Sequence, residues 1–148
     1  MLASAFDSAG QRCSDLRVLC LQEEIADRTL KMLRGALHEL AVGNPESLSI
    51  DVGTVIDAEA RDTILRHVQT LRDGGHTVET QALPEDCRHG TFVAPTLIEL
   101  KELSALKREV FGPVLHVVRY KRPQLDRLID DINATGYGLT FGVHTRID

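Results

Sequence analysis

The chain has 148 residues, enough for one domain that buries about 70% of its unfolded surface. With 17 basic against 22 acidic side chains, a net charge of −5 and no basic block, it is poorly suited to nucleic acid or an anionic membrane. No apolar run approaches the ~18–20 residues that span a bilayer, Asp7 interrupts the mildly apolar start, and three cysteines without a mark of export read as reduced thiols in a cytoplasmic protein.

A helix is already under way at Leu2. "LRVLCL", residues 16 to 21, then reads as a buried strand. Ala26, Leu30, Leu33, Leu37 and Leu40 follow at intervals of 4, 3, 4 and 3, one apolar stripe on a helix that Gly43-Asn44-Pro45 stops. Asp57 is the expected N-cap of a second helix burying Ala60, Ile64, Val68 and Leu71, ended by Gly74-Gly75. "HTVET" is a candidate strand, "TFVAPTLIEL" offers another one or two extended pieces, and "VLHVVRY", residues 114 to 120, is a stronger strand. Pro123 suits the first turn of a helix carrying Leu125, Leu128, Ile129 and Ile132, after which Gly136 and Gly138 turn the chain into a last strand, "LTFGVHT". Strands alternating with amphipathic helices give an α/β fold, a mostly parallel open sheet with flanking helices. With a helix begun at Leu2 and no closing element after the last strand, a fragment of a longer protein is expected.

Three cysteines and six histidines are the residues most able to carry chemistry. Cys13 follows Arg12 in "SAGQRCS", where a cation and small residues suit a nucleophilic thiolate. A buried inert thiol is the plain alternative. Cys20, inside the first strand, reads as core, and Cys87, in "PEDCRHG", as an exposed loop thiol. There is no CxxC and no helical pair of histidines, so a metal site finds too few ligands. A thiol hydrolase pairing Cys13 with His38, His67 or His116 has nothing in the spacing to support it. In "KREVFGPVLHVV", Glu109 could accept hydrogen bonds from the two hydroxyls of a ribose and Phe111 could pack on a flat ring, but spacing alone favours a solvated Glu109 and a core Phe111.

Four ordered stretches decide between these readings. "SAGQRCS" resembles the segment around the catalytic cysteine of the NAD(P)-dependent aldehyde dehydrogenase superfamily, and "EVFGPV", whose Glu109 stands 96 positions after Cys13, resembles its ExFGP motif. "GNPESLSIDVGTVID" is similar to its GxP…D[IV]GP[LV]I segment, with Thr54 where proline is usual, and "INATGYGLTFGVHTRID" to its YGL stretch. Within the superfamily, "FDSAGQRCSDLRVLCLQEEIAD" and "ELKREVFGPVLHVVRY" most resemble the C-terminal L-glutamate γ-semialdehyde (1-pyrroline-5-carboxylate) dehydrogenase module of the bacterial proline utilisation A group.

The resemblance implies that residues 1–148 are part of the catalytic domain and that the Rossmann-type cofactor domain is absent. It makes Cys13 the nucleophile that forms a thiohemiacetal and then a thioester, with its own backbone N–H as one oxyanion donor. Glu109 and Phe111 would bind the nicotinamide half of NAD, NADP not being excluded. FAD would belong to a separate proline dehydrogenase module. Ser14 would line the aldehyde pocket, or else cap the loop. The superfamily's asparagine oxyanion donor and general-base glutamate lie upstream of the cysteine, and Met1 stands only twelve residues before Cys13. An inactive isolated fragment of a homo-oligomeric parent is therefore expected. The rival is a non-catalytic α/β scaffold or interaction lobe.

Overall fold

The computed structural model describes residues 1–145. After a short helix α1 (Leu2–Phe6) and a single 3-10 turn, the apolar run becomes β1 (Val18–Gln22) and leads straight into α2 (Glu23–His38). Glu23 and Glu24 occupy the first turn of α2, where the helix dipole favours them. Ala26, Leu30, Leu33 and Leu37 are its buried residues, the expected stripe. The helix stops at His38, short of Leu40. Its end tightens through bonds from Glu39 N to Ala36 O and from Leu40 N to Leu37 O, and the chain then runs out to pair Val42 with Val52.

Asp57 caps α3 (Ala58–Asp73) as expected, its Oδ1 accepting from the Ala60 N–H at 2.7 Å. Gly75, at φ +75°, turns the chain into β2 (Thr77–Thr80). β3 (Thr96–Leu100) and β4 (Val114–Tyr120) follow, and Pro123 stands in a 3-10 turn that opens α4 (Leu125–Ala134). The sheet order is β1-β4-β3-β2, with β1, β4 and β3 parallel and β2 antiparallel on the edge. The expected last strand does not form. Residues 139–145 are irregular, and Leu139, Phe141 and Val143 are exposed. Alternation prepares two faces, but a strand also needs a place in a ladder, and the described sheet runs β1-β4-β3-β2 without this segment. Residues 146–148 of the fourth motif lie outside the described residues.

Register places α2 and α3 on opposite faces of the sheet. Ile98 and His116 are partners in the β3–β4 ladder and share a face, so Glu99 lies on the other. Arg34 of α2 reaches Glu99 and Glu79, whereas His67 of α3 reaches His116. On the α2 side Arg119 gathers Glu99, Asp27 and Glu23. The core between is aliphatic, with Leu30, Leu37, Leu97, Ile98, Leu115 and Val117 almost fully buried. No described helix is long and apolar enough to cross a membrane.

His116 is the buried exception, 1% exposed at the centre of the sheet. Its Nδ1–H donates to the Arg17 carbonyl at 3.0 Å, which leaves Nε2 as the acceptor for His67 Nε2–H at 2.8 Å. Burial pushes its pKa down to about 4; the Arg17 carbonyl pulls the other way, while His67 and the Arg17 charge add to the depression. The ring is therefore neutral when folded but takes a proton below about pH 6.5 when unfolded. Its stabilising contribution is complete above that pH and drains away as pH falls toward about 4, a total of ~3 kcal/mol. Urea unfolding at pH 7 and pH 4.5 should show that His116→Asn loses about 2 kcal/mol less across this interval than the unsubstituted chain. Equal losses in the two proteins would contradict the assignment.

Candidate active site

The segment before β1 is bent by three successive residues in the left-handed region, Ser8 (φ 54°), Ala9 (φ 55°) and Gly10 (φ 63°). Only glycine enters that region without a side-chain penalty, so Ser8 and Ala9 each hold about 1 kcal/mol or more of strain. The surroundings fix it. Leu16 N–H donates to Ser4 O at 2.6 Å. Gln11 bridges to the segment before α3, its Nε2 donating to Thr54 O and its Oε1 accepting from Ile56 N–H at 2.8 Å.

Cys13 and Ser14 form the tip of a turn closed at both ends. Arg12 N–H donates to Asp15 Oδ2 at 2.7 Å, and Asp15 N–H donates back to Arg12 O at 3.2 Å. Both tip residues are exposed. Neither their amides nor the Ser14 hydroxyl make a hydrogen bond among the described residues. Arg12, expected beside the thiol, turns its guanidinium to Ser8 Oγ at 3.0 Å instead.

The ExFGP-like segment enters β4 directly beneath this turn. A Cβ on Gly10 would stand 2.1 Å from Gly112 O, so the two loops cross backbone on backbone. Gly112 is pressed in turn on Ile64 of α3, where an added Cβ would meet Cδ1 at 2.4 Å. Glu109 is held through its amide, which donates to the Tyr137 hydroxyl at 3.1 Å. Thr54, Glu109, Gly10 and Tyr137 come from the four resembling motifs, and all four motifs therefore meet at one place.

Arg17 makes the tightest of these junctions. Its Nε donates to Glu109 Oε1 at 3.3 Å, its two terminal nitrogens donate to Gly10 O at 2.5 Å and Arg12 O at 2.7 Å, and its guanidinium lies 4.5 Å from the centroid of the Phe111 ring. The ring is 43% exposed. Glu109 and Phe111 border an open cleft of about 430 Å³ whose far wall is Thr63, Ile64 and His67 of α3. Burial, with the Arg108 charge second, lowers the His67 pKa, while Asp57, Glu59 and Arg108 bring charge to the rest of the cleft. Cys13 and Ser14 stand outside the cleft and are joined to the Glu109–Phe111 segment through the Arg12–Cys13 peptide held by Arg17 and through the Gly10–Gly112 crossing.

Sequence reasoning passed over Arg17, whose one signal is a cation four residues after Cys13 at the entry to a strand. It also misplaced Cys87. That thiol is buried, 4% exposed, with its Sγ 3.7 Å from Val42 O. The 3-10 turn Glu85–Arg88 folds it inward while the charged neighbours stay outside. Cys20 is half-buried in β1, and burial raises its pKa. Among the described residues no three His, Cys, Asp or Glu side chains converge in a way that could hold a metal ion.

Among the described residues Glu109 Oε2 has no hydrogen-bond partner and Phe111 is 43% exposed, so the pair fits the ribose and flat-ring half of a dinucleotide.

The aldehyde dehydrogenase family model matches residues 1–147. The bifunctional protein PutA of Klebsiella aerogenes is 64% identical over 153 residues, covering the whole of this chain and 12% of that protein. A 1-pyrroline-5-carboxylate dehydrogenase of Bacillus mycoides is 32% identical over 145 residues, 97% of this chain and 27% of that protein. Among solved structures, a variant of proline utilization A from Bradyrhizobium japonicum superposes with a TM-score of 0.93 at 47% identity, over 99% of this chain and 15% of that one. The chain thus spans about an eighth of the curated PutA relatives it matches. With sequence and fold agreeing along nearly its whole length, the chain belongs to the aldehyde dehydrogenase family.

Proposed function

We propose that residues 1–148 are part of the catalytic domain of a longer NAD-dependent dehydrogenase that oxidises L-glutamate γ-semialdehyde to L-glutamate in proline catabolism. The observation that carries this reading is the Arg17 junction, which ties the peptide of Cys13 to Glu109 and Phe111 across 92 residues of chain. The high identity to bifunctional PutA supports the substrate, as does the likeness to a 1-pyrroline-5-carboxylate dehydrogenase. On this reading the parent is a cytoplasmic homo-oligomer acting on a small aldehyde. Its Rossmann-type cofactor domain lies outside these residues, and FAD is confined to a separate proline dehydrogenase module. The contacts that discriminate NAD from NADP fall in that other domain, so these residues serve either dinucleotide.

In the proposed mechanism the Cys13 thiolate adds to the aldehyde carbon. A C–S bond forms, and the carbonyl π pair moves onto oxygen. The Cys13 N–H, unspent in the fold, donates to that oxyanion, and Ser14 lines the aldehyde pocket. Glu109 would hold the ribose of NAD and Phe111 its flat ring; when bound, NAD supplies the two-electron acceptor. The acyl group is left on the Cys13 sulfur and leaves as the carboxylic acid when water attacks the carbonyl. The second oxyanion donor and the general base are assigned to parts of the parent outside these residues.

Two measurements test this. In the 148-residue chain at pH 8, iodoacetamide should label Cys13 well before Cys20 and Cys87, since burial raises both of the latter thiols; peptide mass spectrometry reads the order. Prior labelling of either buried thiol would count against Cys13. The 148 residues alone should give no NADH from NAD and the semialdehyde. The same segment exchanged into K. aerogenes PutA should sustain turnover, and Cys13→Ala should lower kcat there by about 10³-fold or more. Undiminished turnover without the thiol would refute the reading.

A further inference from the structure

Arg17 satisfies more of the site than any residue the family resemblance singled out, and its own place is fixed from behind. Its carbonyl accepts both the backbone N–H and the Nδ1–H of His116, each at 3.0 Å, so the residue is anchored to the first paired position of the β1–β4 ladder. Its guanidinium then faces forward, mostly covered, with 14% of the side chain exposed. It carries five N–H groups in a rigid planar fork. The fork reaches two carbonyls and a carboxylate while its face lies on Phe111.

The bond to Arg12 O has a consequence for Cys13. Arg12 O and the Cys13 N–H belong to one planar trans peptide, in which C=O and N–H point in opposite directions. Pinning the oxygen on the guanidinium therefore aims the Cys13 N–H away from Arg17, and Asp15 N–H on the same oxygen holds the peptide from a second side. A charge-assisted hydrogen bond at the oxygen also polarises the peptide and strengthens its N–H as a donor. Arg17 meanwhile occupies only Oε1 of Glu109 and fixes the carboxylate by that atom.

We propose that Arg17 is a positioning residue for this site: it aims and polarises the Cys13 amide as an oxyanion donor and sets the orientation of Glu109. The proposal rests on Cys13 being the nucleophile. Lysine cannot substitute, because a single ammonium on a flexible stem cannot span two carbonyls, a carboxylate and a ring face at once.

The test separates reactions at one sulfur. Alkylation by iodoacetamide displaces iodide at a saturated carbon and develops no oxyanion, whereas addition to an aldehyde does. In PutA carrying this segment, Arg17→Lys and Arg17→Met should each lower kcat by about 10-fold or more, up to the roughly 100- to 1000-fold that outright loss of one oxyanion donor costs. The rate of Cys13 alkylation should change less than about threefold, since the thiol stays in place and exposed. Retained kcat in both variants, or alkylation falling in parallel with kcat, would overturn the proposal. Loss of alkylation in the unsubstituted segment would instead defeat the reading of Cys13 itself. Should neither variant fold, NMR of the unsubstituted 148-residue chain still decides: the Arg17 terminal N–H groups should give separate, slowly averaged resonances from a clamped guanidinium. A single averaged signal from free rotation would contradict it.

Discussion

Everything at the candidate site depends on two loops being able to touch through their main chains. Gly10 lies on Gly112, and Gly112 lies on Ile64 of α3, so that loop, loop and helix stack with no side chain between the first two layers. Only glycine provides that thickness, and at Gly10 the left-handed backbone demands it a second time. A side chain at Gly10 would push the Cys13 turn off the segment that carries Glu109 and Phe111, so that Arg17 could no longer reach both, whereas one at Gly112 would press on Ile64 of α3.

The sheet supplies the fixed frame for this crossing. Arg17 immediately precedes β1, and the Gly112-Pro113 pair immediately precedes β4, its parallel neighbour. Two segments far apart in sequence, Arg17 and Gly112, are thereby delivered side by side at the same end of adjacent strands. His116 reinforces the join by binding the Arg17 carbonyl from β4, and His67 extends the contact to α3. The strain held at Ser8 and Ala9 is confined to the one loop that needs an unusual path. Electrostatics is arranged with similar economy, since one guanidinium serves two carbonyls, a carboxylate and an aromatic ring.

Much of the framework was legible in residue spacing. The stripe of α2, the Asp57 cap and the β4 run are local patterns, and local patterns survive folding when packing agrees with them. The four motifs also marked Cys13, Ser14, Glu109 and Phe111, although only the fold shows that their loops meet. What escaped notice was tertiary in origin. Arg17 looks like any cation before a strand until its partners at positions 10, 12, 109 and 111 are brought to it. Cys87 sits in polar sequence but is turned inward by a 3-10 turn. The "LTFGVHT" stretch has the alternation of a strand but joins no ladder among the described residues, and an edge or a partner cannot be read from the strand's own residues.

The most direct measurement of the backbone crossing compares two glycines that share a left-handed conformation but differ in surroundings. Gly10 (φ +63°) has Gly112 O where a Cβ would go, while Gly136 (φ +74°) has nothing within 4 Å. Chemical unfolding of the 148-residue chain should therefore show Gly136→Ala costing about 1 kcal/mol, the conformational term alone. Gly10→Ala should cost at least ~2 kcal/mol more, because the loops must part to admit the methyl group. If the two substitutions destabilise the chain equally, the loops are not in contact as described and the site built on them does not stand.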